Sequence, residues 1–357
     1  MRVVIEAASL ALSTGGLARY TSELSLALAR SFPSDEFVLI SDQPFRMPLN
    51  APPNLRRGGG PRNAIERRWW LWGIAREVHR LGADLVHGPD FAVPYLARRP
   101  SVLTLHDLSP WMDPGWHHAA ARVQRRTPLL LEFGIATMVV TPGELVRKQA
   151  IERFRLRPDR VVAIPEAAAA YFQPVPAPRS DPPYFLYVGT LEPRKNLLVL
   201  IDAWRELRRR RAATDRGAID LVLAGRRRAD FPPLAPEPGL RLLGEVPDEA
   251  LPALYSGALA FVYASLYEGF GLPVLEAMQC GAAVIASRAV REVAGDAAVY
   301  AEEPEELLAA LATAADHPEW VAGLRARSVA RARQFSWDRT AHLTHEVYEE
   351  ARRRFGQ

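Results

Sequence analysis

In Ser265-Leu266-Tyr267-Glu268-Gly269-Phe270-Gly271-Leu272-Pro273-Val274-Leu275-Glu276-Ala277-Met278, two glutamates flank a Gly-Phe-Gly turn and a proline opens an apolar helix. Proline suits the first helical position, where its missing N–H costs nothing and its fixed φ is already helical. Leu272 is therefore the expected N-cap, with the amides of Gly271 to Val274 at the open end of the helix. Unpaired N–H groups and the positive end of the helix dipole coincide there and attract anions. The glycines let a phosphate or sugar approach the backbone closely. Glu268 in the loop and Glu276 on the expected first helical turn face one pocket. A carboxylate beside a bound diphosphate hydrogen-bonds hydroxyls rather than the phosphate. A site that offers amides to phosphate and carboxylates to hydroxyls suits a nucleotide-sugar.

Such a loop needs a sheet to carry it. Short apolar runs alternate with helical patterns along the chain, which argues for an α/β protein with parallel sheets and crossover helices. The expected strands are 3–7, 37–40, 85–87, 102–105, 138–141 and 161–164 in the first half. In the second half they are 185–188, 221–224, 241–243, 259–263 and 283–286. Residues 173–183 are rich in proline and poor in apolar side chains and read as a stiff extended linker. The domains are accordingly expected at 1–172 and 184–337, a division that 357 residues accommodate. Residues 51–62, with Gly58-Gly59-Gly60-Pro61, read as a mobile loop.

Hydrophobic content of 48% and charged content of 24% are those of a globular protein. No apolar run reaches the ~20 residues needed to span a bilayer. Met1-Arg2-Val3-Val4-Ile5-Glu6 reads as a buried strand rather than a signal peptide. The single cysteine, Cys280, fits a reducing cytoplasm and reads as a small core residue. The net charge is +4, carried almost wholly by arginine, and reads as solvated helix faces such as Arg208 to Arg211. Nothing interleaves aromatics with basic residues as in single-strand binders, so no nucleic-acid partner is expected. The only lysines are Lys148 and Lys195. In so arginine-biased a chain, a lysine beside Arg194 signals a need for a compact, flexible ammonium.

The Glu268–Glu276 stretch resembles the signature of retaining GT-B glycosyltransferases of family 4. Four further stretches resemble that family in the right order, so that the likeness covers nearly the whole chain: Thr104-Leu105-His106-Asp107-Leu108, Val188-Gly189-Thr190-Leu191-Glu192-Pro193-Arg194-Lys195-Asn196, Leu223-Ala224-Gly225 and Glu292-Val293-Ala294-Gly295-Asp296. The resemblance implies a GT-B fold, two Rossmann-like domains facing across a cleft, with a final helix (about 338–357) crossing back to the first. It implies a nucleotide-diphosphate-sugar donor bound mainly by the second domain and an acceptor hydroxyl entering from the first. Arg194 and Lys195 would neutralise the leaving diphosphate, in a loop set lined by Gly189, Thr190 and Gly225. Some relatives carry a further arginine at the position of Thr190, so one cation is missing here. Glu268 would hold the sugar hydroxyls with the backbone of Gly269, Phe270, Gly271 and Leu272, and Glu276 the ribose. His106, as a neutral imidazole, and Asp107 would serve the donor sugar or orient the acceptor. Gly15 and Gly16 would line the cleft; their spacing is not the dinucleotide fingerprint.

There is no Asp-x-Asp motif, which favours a metal-independent enzyme without cofactor, the cations and the helix end replacing the metal. His117-His118 lack a third ligand at suitable spacing and read as a solvated loop; His87 has only its strand-end position in its favour. Glu292 is expected near the cleft. Trp69-Trp70-Leu71-Trp72 beside Arg67 and Arg68 would suit a membrane interface if the acceptor is lipid-linked, but they read first as a buried helix face with one or two rings exposed. The motif wording resembles the bacterial mannosyltransferase-like branch, which implies GDP-mannose as donor, with a UDP-sugar behind it. The acceptor would be a glycan, a lipid-linked or a small-molecule hydroxyl, at the inner face of the membrane or in the cytoplasm. A catalytically silent nucleotide-sugar-binding subunit is the competing reading outside enzymes.

Overall fold

The computed structural model of the chain describes residues 1–357 except 13–14, 97, 118–119, 177–179 and 357. The chain divides into two compact units, Met1–Ala167 with Ser336–Gln357, and Ala168–Phe335. Ala168, Ala169 and Phe172 already pack into the core of the second unit, so the chain enters that unit before the proline-rich stretch rather than after it.

The first unit runs β1 (Arg2–Glu6), α1 (Gly16–Ser31), β2 (Glu36–Ile40), β3 (Leu55–Arg57), α2 (Ile74–Leu81), β4 (Leu85–Gly88), β5 (Ser101–Thr104), α3 (Ala121–Glu132), β6 (Met138–Thr141), α4 (Glu144–Phe154) and β7 (Val161–Ala163). Its seven strands lie in the order β3-β2-β1-β4-β5-β6-β7, each pair parallel. Val3, Val4 and Ile5 are buried, as in a parallel sheet covered on both faces. One apolar cluster joins Val4, Val38 and Ile40 to Trp69 and Ile74; another joins Leu103, Leu105 and Val139 to Leu130 and Val146.

The second unit runs β8 (Tyr184–Val188), α5 (Leu197–Ala213), β9 (Asp220–Ala224), β10 (Leu240–Gly244), α6 (Leu251–Gly257), β11 (Ala260–Tyr263), α7 (Leu272–Gln279), β12 (Val284–Ala286), α8 (Arg291–Ala294), β13 (Ala298–Tyr300), α9 (Pro304–Asp316) and α10 (Pro318–Ala332). Its six strands are parallel in the order β10-β9-β8-β11-β12-β13. Trp204, Tyr187 and Phe261 are among its largest fully buried side chains. The last helix, α11 (Trp337–Arg354), belongs to the first unit, where it packs on α1.

Both sheets are Rossmann-like, and in both the strand order reverses once, between β1 and β4 and between β8 and β11. Open α/β sheets bind ligands outside the carboxyl ends of the strands at such a switch point. Close approach of backbones builds the second of these. Gly189 donates its N–H to Ala224 O (2.9 Å), and Gly225 donates to Gly244 O (2.7 Å) at φ +143°.

One expectation is corrected. The 51–62 stretch is not simply a loop: it contains β3, whose arginines hide it from an apolar-run reading. Asn54 Nδ2 donates to the carbonyls of Ala29, Phe32 and Asp35 just ahead of this strand. Just after it, Gly59 N–H donates to Glu77 Oε1 at 2.9 Å. Trp69-Trp70-Leu71-Trp72 open a π-helical turn, Trp69–Gly73, ahead of α2. Trp69 is buried and the other two tryptophans are half-buried, which fits a helix face turned inward.

A Cβ on Gly225 would lie 1.9 Å from the Gly189 carbonyl oxygen. Gly225→Ala should therefore destabilise the protein by at least the ~1–3 kcal/mol typical of overpacking, read as a lower urea midpoint. An unchanged midpoint would show that the two turns are not locked together.

Candidate active site

β8 ends at Val188, just before Gly189, and a turn through Pro193–Lys195 carries the chain into α5 with Asn196 as its N-cap at φ +54°. The Arg194 carbonyl accepts from Leu266 N–H (2.9 Å), which ties this turn to the loop after the neighbouring β11. Two cations from one loop thus meet a carboxylate from the other. Lys195 Nζ donates to Glu268 Oε1 at 2.6 Å and to the Tyr263 hydroxyl at 2.8 Å. Arg194 Nη1 donates to the Tyr267 carbonyl at 2.6 Å and lies 3.3 Å from Glu268 Oε2. Arg194 Nη2 donates to Glu192 Oε1 at 2.8 Å, and Glu192 Oε2 accepts from Arg228 Nη1 at 2.7 Å. Arg228 in turn pairs with Asp230 through Nε at 2.6 Å.

Charges alternate along this chain, and Glu192, Arg194, Lys195 and Glu268 are all buried. Burial opposes the charge on Glu268, but Lys195 and Arg194 outweigh it and hold the carboxyl down at about 2. Burial pulls the Lys195 ammonium below its ordinary value, with Glu268 pulling the other way.

Beside this network α7 begins. Its N-cap is Gly271 at φ +103°, not Leu272, which is the first helical residue. A Cβ at Gly271 would come 2.7 Å from Val290, so the tight turn falls on the glycine and Pro273 takes the second position. Among the described residues no side chain caps this helix end. Glu276 is accordingly one residue further into the helix than expected, on the face of Leu272, since residues four apart share a face. It is buried and accepts from the Tyr255 hydroxyl of α6 at 3.1 Å. Of the remaining residues of this unit, Thr190 O accepts from the Tyr187 hydroxyl at 3.0 Å, and Phe270 packs edge-on to Phe335. Gly269 is half-buried, and Glu292 is exposed on α8.

In the first unit, Gly15 is the N-cap of α1 at φ +118° and Gly16 its first residue. His106 Nε2 donates to Pro89 O at 2.7 Å, and Nδ1 lies 3.2 Å from Glu166 Oε1. Burial lowers its basicity, but Glu166, Asp90 and the Pro89 carbonyl together raise it above the ordinary value. Both ring nitrogens meet acceptors. Asp107 Oδ1 accepts from Ser109 N–H (2.9 Å) and Oγ (2.7 Å) and so shapes the turn after β5. Ser109 Oγ also meets His117 Nε2 at 2.7 Å; His118 lies outside the described residues. His87 is a buried structural residue between Tyr348 (2.7 Å) and Thr104 (2.8 Å), and burial pushes it down to about 3.

The structure thus brings Arg194, Lys195 and Glu268 together, and Gly189 with Gly225. Glu276 binds elsewhere, to Tyr255. Sequence reasoning passed over Glu192, Tyr263, Arg228 and Glu166. Glu192 stood inside the quoted motif and Arg228 in the run after Gly225, where it donates to the second carboxylate oxygen of Glu192. Glu166, 60 residues from His106, had no local signal. Among the described residues no group of three or more His, Cys, Asp or Glu is placed to hold a metal ion, and no helix is long and apolar enough to cross a membrane.

The family described as glycosyl transferases group 1 matches residues 182–317, and glycosyltransferase family 4 matches residues 14–168. The chain is 33% identical over 286 residues to the O-antigen chain mannosyltransferase B of Escherichia coli, covering 74% of each protein. It is 31% identical over 243 residues to the serotype-specific mannosyltransferase WbdA of the same organism, 61% of this chain and 29% of that longer protein. Anabaena HepE, crystallised in complex with UDP-glucose, superposes with a TM-score of 0.72 at 17% identity over 98% of this chain and 100% of its own. At that identity the likeness concerns the fold.

Glu268→Gln would leave two buried cations without their shared anion and should cost ~3–5 kcal/mol of stability. Its folded value of about 2 lies below the ordinary 4.5. The stabilisation is therefore present above pH 4.5 and is lost as the pH falls toward 2. Urea unfolding of both proteins between pH 3 and 7 should show a gap that is full at pH 7 and shrinks in acid; a gap independent of pH would contradict the ion-pair reading.

Proposed function

The chain belongs to the family 4 glycosyltransferases, and we propose that it is a retaining enzyme that moves a hexose, mannose from GDP-mannose, onto an acceptor hydroxyl. The observation that carries this reading is the buried Lys195–Glu268–Arg194 network at the β8/β11 switch point, next to the glycine-capped start of α7. An arriving diphosphate takes the place of Glu268 on Lys195 and Arg194. Glu268, released, accepts hydrogen bonds from the hydroxyls of the sugar, and the backbone from Gly269 to Leu272 approaches it. Glu276, with Tyr255 behind it, serves the ribose. As the C1–O bond of the donor breaks, charge grows on the leaving diphosphate, and the two cations stabilise it where it forms. The acceptor oxygen bonds C1 on the same face, and its proton passes to a phosphate oxygen of the leaving group. His106, fixed by Pro89 and Glu166, presents its ring near the acceptor path of the first unit with Asp107, Gly15 and Gly16. Arg194, Lys195 and the open helix end supply the charge a divalent cation would otherwise bring, so the reaction runs without metal.

Mannose is favoured because the two relatives described above are mannosyltransferases by name. A UDP-sugar is the second reading, supported by the fold shared with HepE, a protein crystallised with UDP-glucose. The intact lysine–glutamate pair weighs against a silent binding subunit. An O-antigen relative favours a glycan acceptor carried on a lipid at the cytoplasmic face of the membrane.

Lys195→Ala should lower kcat by ~10²–10³, the loss seen when one donor to a developing oxyanion is removed, while Arg194 still pairs with Glu268. Turnover near the unmutated level would remove Lys195 from the reaction. NMR of the product formed from GDP-mannose should show the α-anomer; a β-linked product would refute retention.

A further inference from the structure

Between α3 and α4 of the first unit, with the turn after β5 as its third wall, lies an open groove of about 610 Å³. Clefts of ~300–1,000 Å³ are the usual size for small ligands. Its floor is Leu108, Trp111 and Phe154, and its rim Glu132, Gln149, Glu152 and Arg153. A proline positions the floor. Pro128 stands inside α3 and has no N–H for the carbonyl of Gln124, four residues back. That carbonyl accepts from Trp111 Nε1 instead, at 3.2 Å, and Gln124 Nε2 donates to the Pro110 carbonyl. Phe154 meets the same indole edge-on, with ring centroids 5.2 Å apart. The ring is thus fixed at its N–H and against Phe154, while Trp111 stays half-buried at the groove.

The charges of the rim are exposed and unpaired. Among the described residues the side chains of Glu132, Glu152 and Arg153 form no hydrogen bond and no ion pair. On the same α4, Arg147 does pair with Glu144, at 2.9 Å. Planar carboxylates and a guanidinium around an apolar, partly aromatic floor match a pyranose. Such a sugar lays its C–H face on a ring and offers hydroxyls at its edge that both donate and accept. Other ligands fit less well. Two carboxylates against one guanidinium repel phosphate, and an acyl chain would lie beneath three charged side chains and give them no partner. The groove also stands apart from the ligand side of the sheet. Glu132, Glu152 and Arg153 sit at the C-terminal ends of α3 and α4, which lead into the amino ends of β6 and β7. His106 and Asp90 follow the carboxyl ends of β5 and β4, where an open α/β sheet takes its substrate.

We propose that this groove is a second glycan site, which holds neutral hexose units of the glycan being extended, away from the place where its terminal hydroxyl reacts. This rests on reading the chain as a glycosyltransferase with a glycan acceptor. The C–H face of one hexose lies on Trp111, and Glu132, Glu152 and Arg153 hold hydroxyls of that unit and its neighbours. A hold of this kind raises the effective concentration of the acceptor end and favours long glycans over short ones.

The full chain is titrated by calorimetry with two neutral α-linked tetrasaccharides, mannotetraose and maltotetraose, with tetralysine as a cationic probe, and separately with GDP. The unmutated protein should bind at least one tetrasaccharide saturably and should not bind tetralysine. Glu152→Ala removes no side-chain contact of the folded chain. It should weaken tetrasaccharide binding about tenfold, the loss of one hydrogen bond to a charged group, with the melting temperature and the affinity for GDP unchanged. Trp111→Ala should weaken it at least as much; where that variant does not fold, Glu132→Ala takes its place with the expectation given for Glu152→Ala. No tetrasaccharide binding in a protein that binds GDP, equal affinity in Glu152→Ala and the unmutated chain, or binding of tetralysine in place of the sugars overturns the proposal. Tetrasaccharide binding that the groove variants lose, in a protein that does not bind GDP, leaves the groove standing and removes the donor reading instead.

Discussion

Glu268 is one carboxylate shared by two buried cations, and the second unit is arranged so that this sharing can happen. Lys195 reaches it at 2.6 Å and Arg194 at 3.3 Å, although 73 residues separate lysine and glutamate in the chain. They meet because β8 and β11 are neighbours in the sheet and the loops that follow them are joined by the Leu266 N–H to Arg194 carbonyl bond. Charges this close inside a protein attract strongly, yet each has lost its water, and the net benefit depends on complete pairing. The pairing is completed outward through Glu192, Arg228 and Asp230. A network that is neutral as a whole, with a carboxylate that a diphosphate can replace, suits a site that must bind a dianion and later release it.

The two units repeat one plan with different chemistry at the switch point. In the second, cations and a glycine-capped helix start gather where β8 and β11 part. In the first, Glu6 and Asp90 stand where β1 and β4 part, both carboxyls raised by burial, with Trp69 Nε1 donating to Glu6. The first is built from carboxyls shifted toward neutrality and from rings, the second from ionised pairs.

Much of this was legible in the sequence because parallel strands covered on both faces are continuous apolar runs. Val3, Val4, Ile5 and Phe261, Val262, Tyr263 announce themselves in that way. Leu55–Arg57 and Ala298–Tyr300 did not, being three-residue edge strands that carry little apolar signal. Gly-Phe-Gly-Leu-Pro located the start of α7 to within one residue; proline is tolerated at the first or second helical position, so it alone could not decide between Leu272 and Gly271 as cap. Arg194, Lys195 and Glu268 were legible as residue types in a motif. Their partners were not: Tyr263 lay at the end of an ordinary strand, and Glu166 meets His106 only after the sheet has formed.

The most direct measurement is calorimetric titration of the full chain with GDP, UDP and ADP and their common sugar conjugates, with and without EDTA. Tight binding of one nucleotide and its sugar conjugates, indifferent to EDTA, is the expected result, with Arg194, Lys195 and the start of α7 as the grip. Binding that disappears with EDTA, or no binding of any nucleotide, would contradict a diphosphate site built from those residues alone.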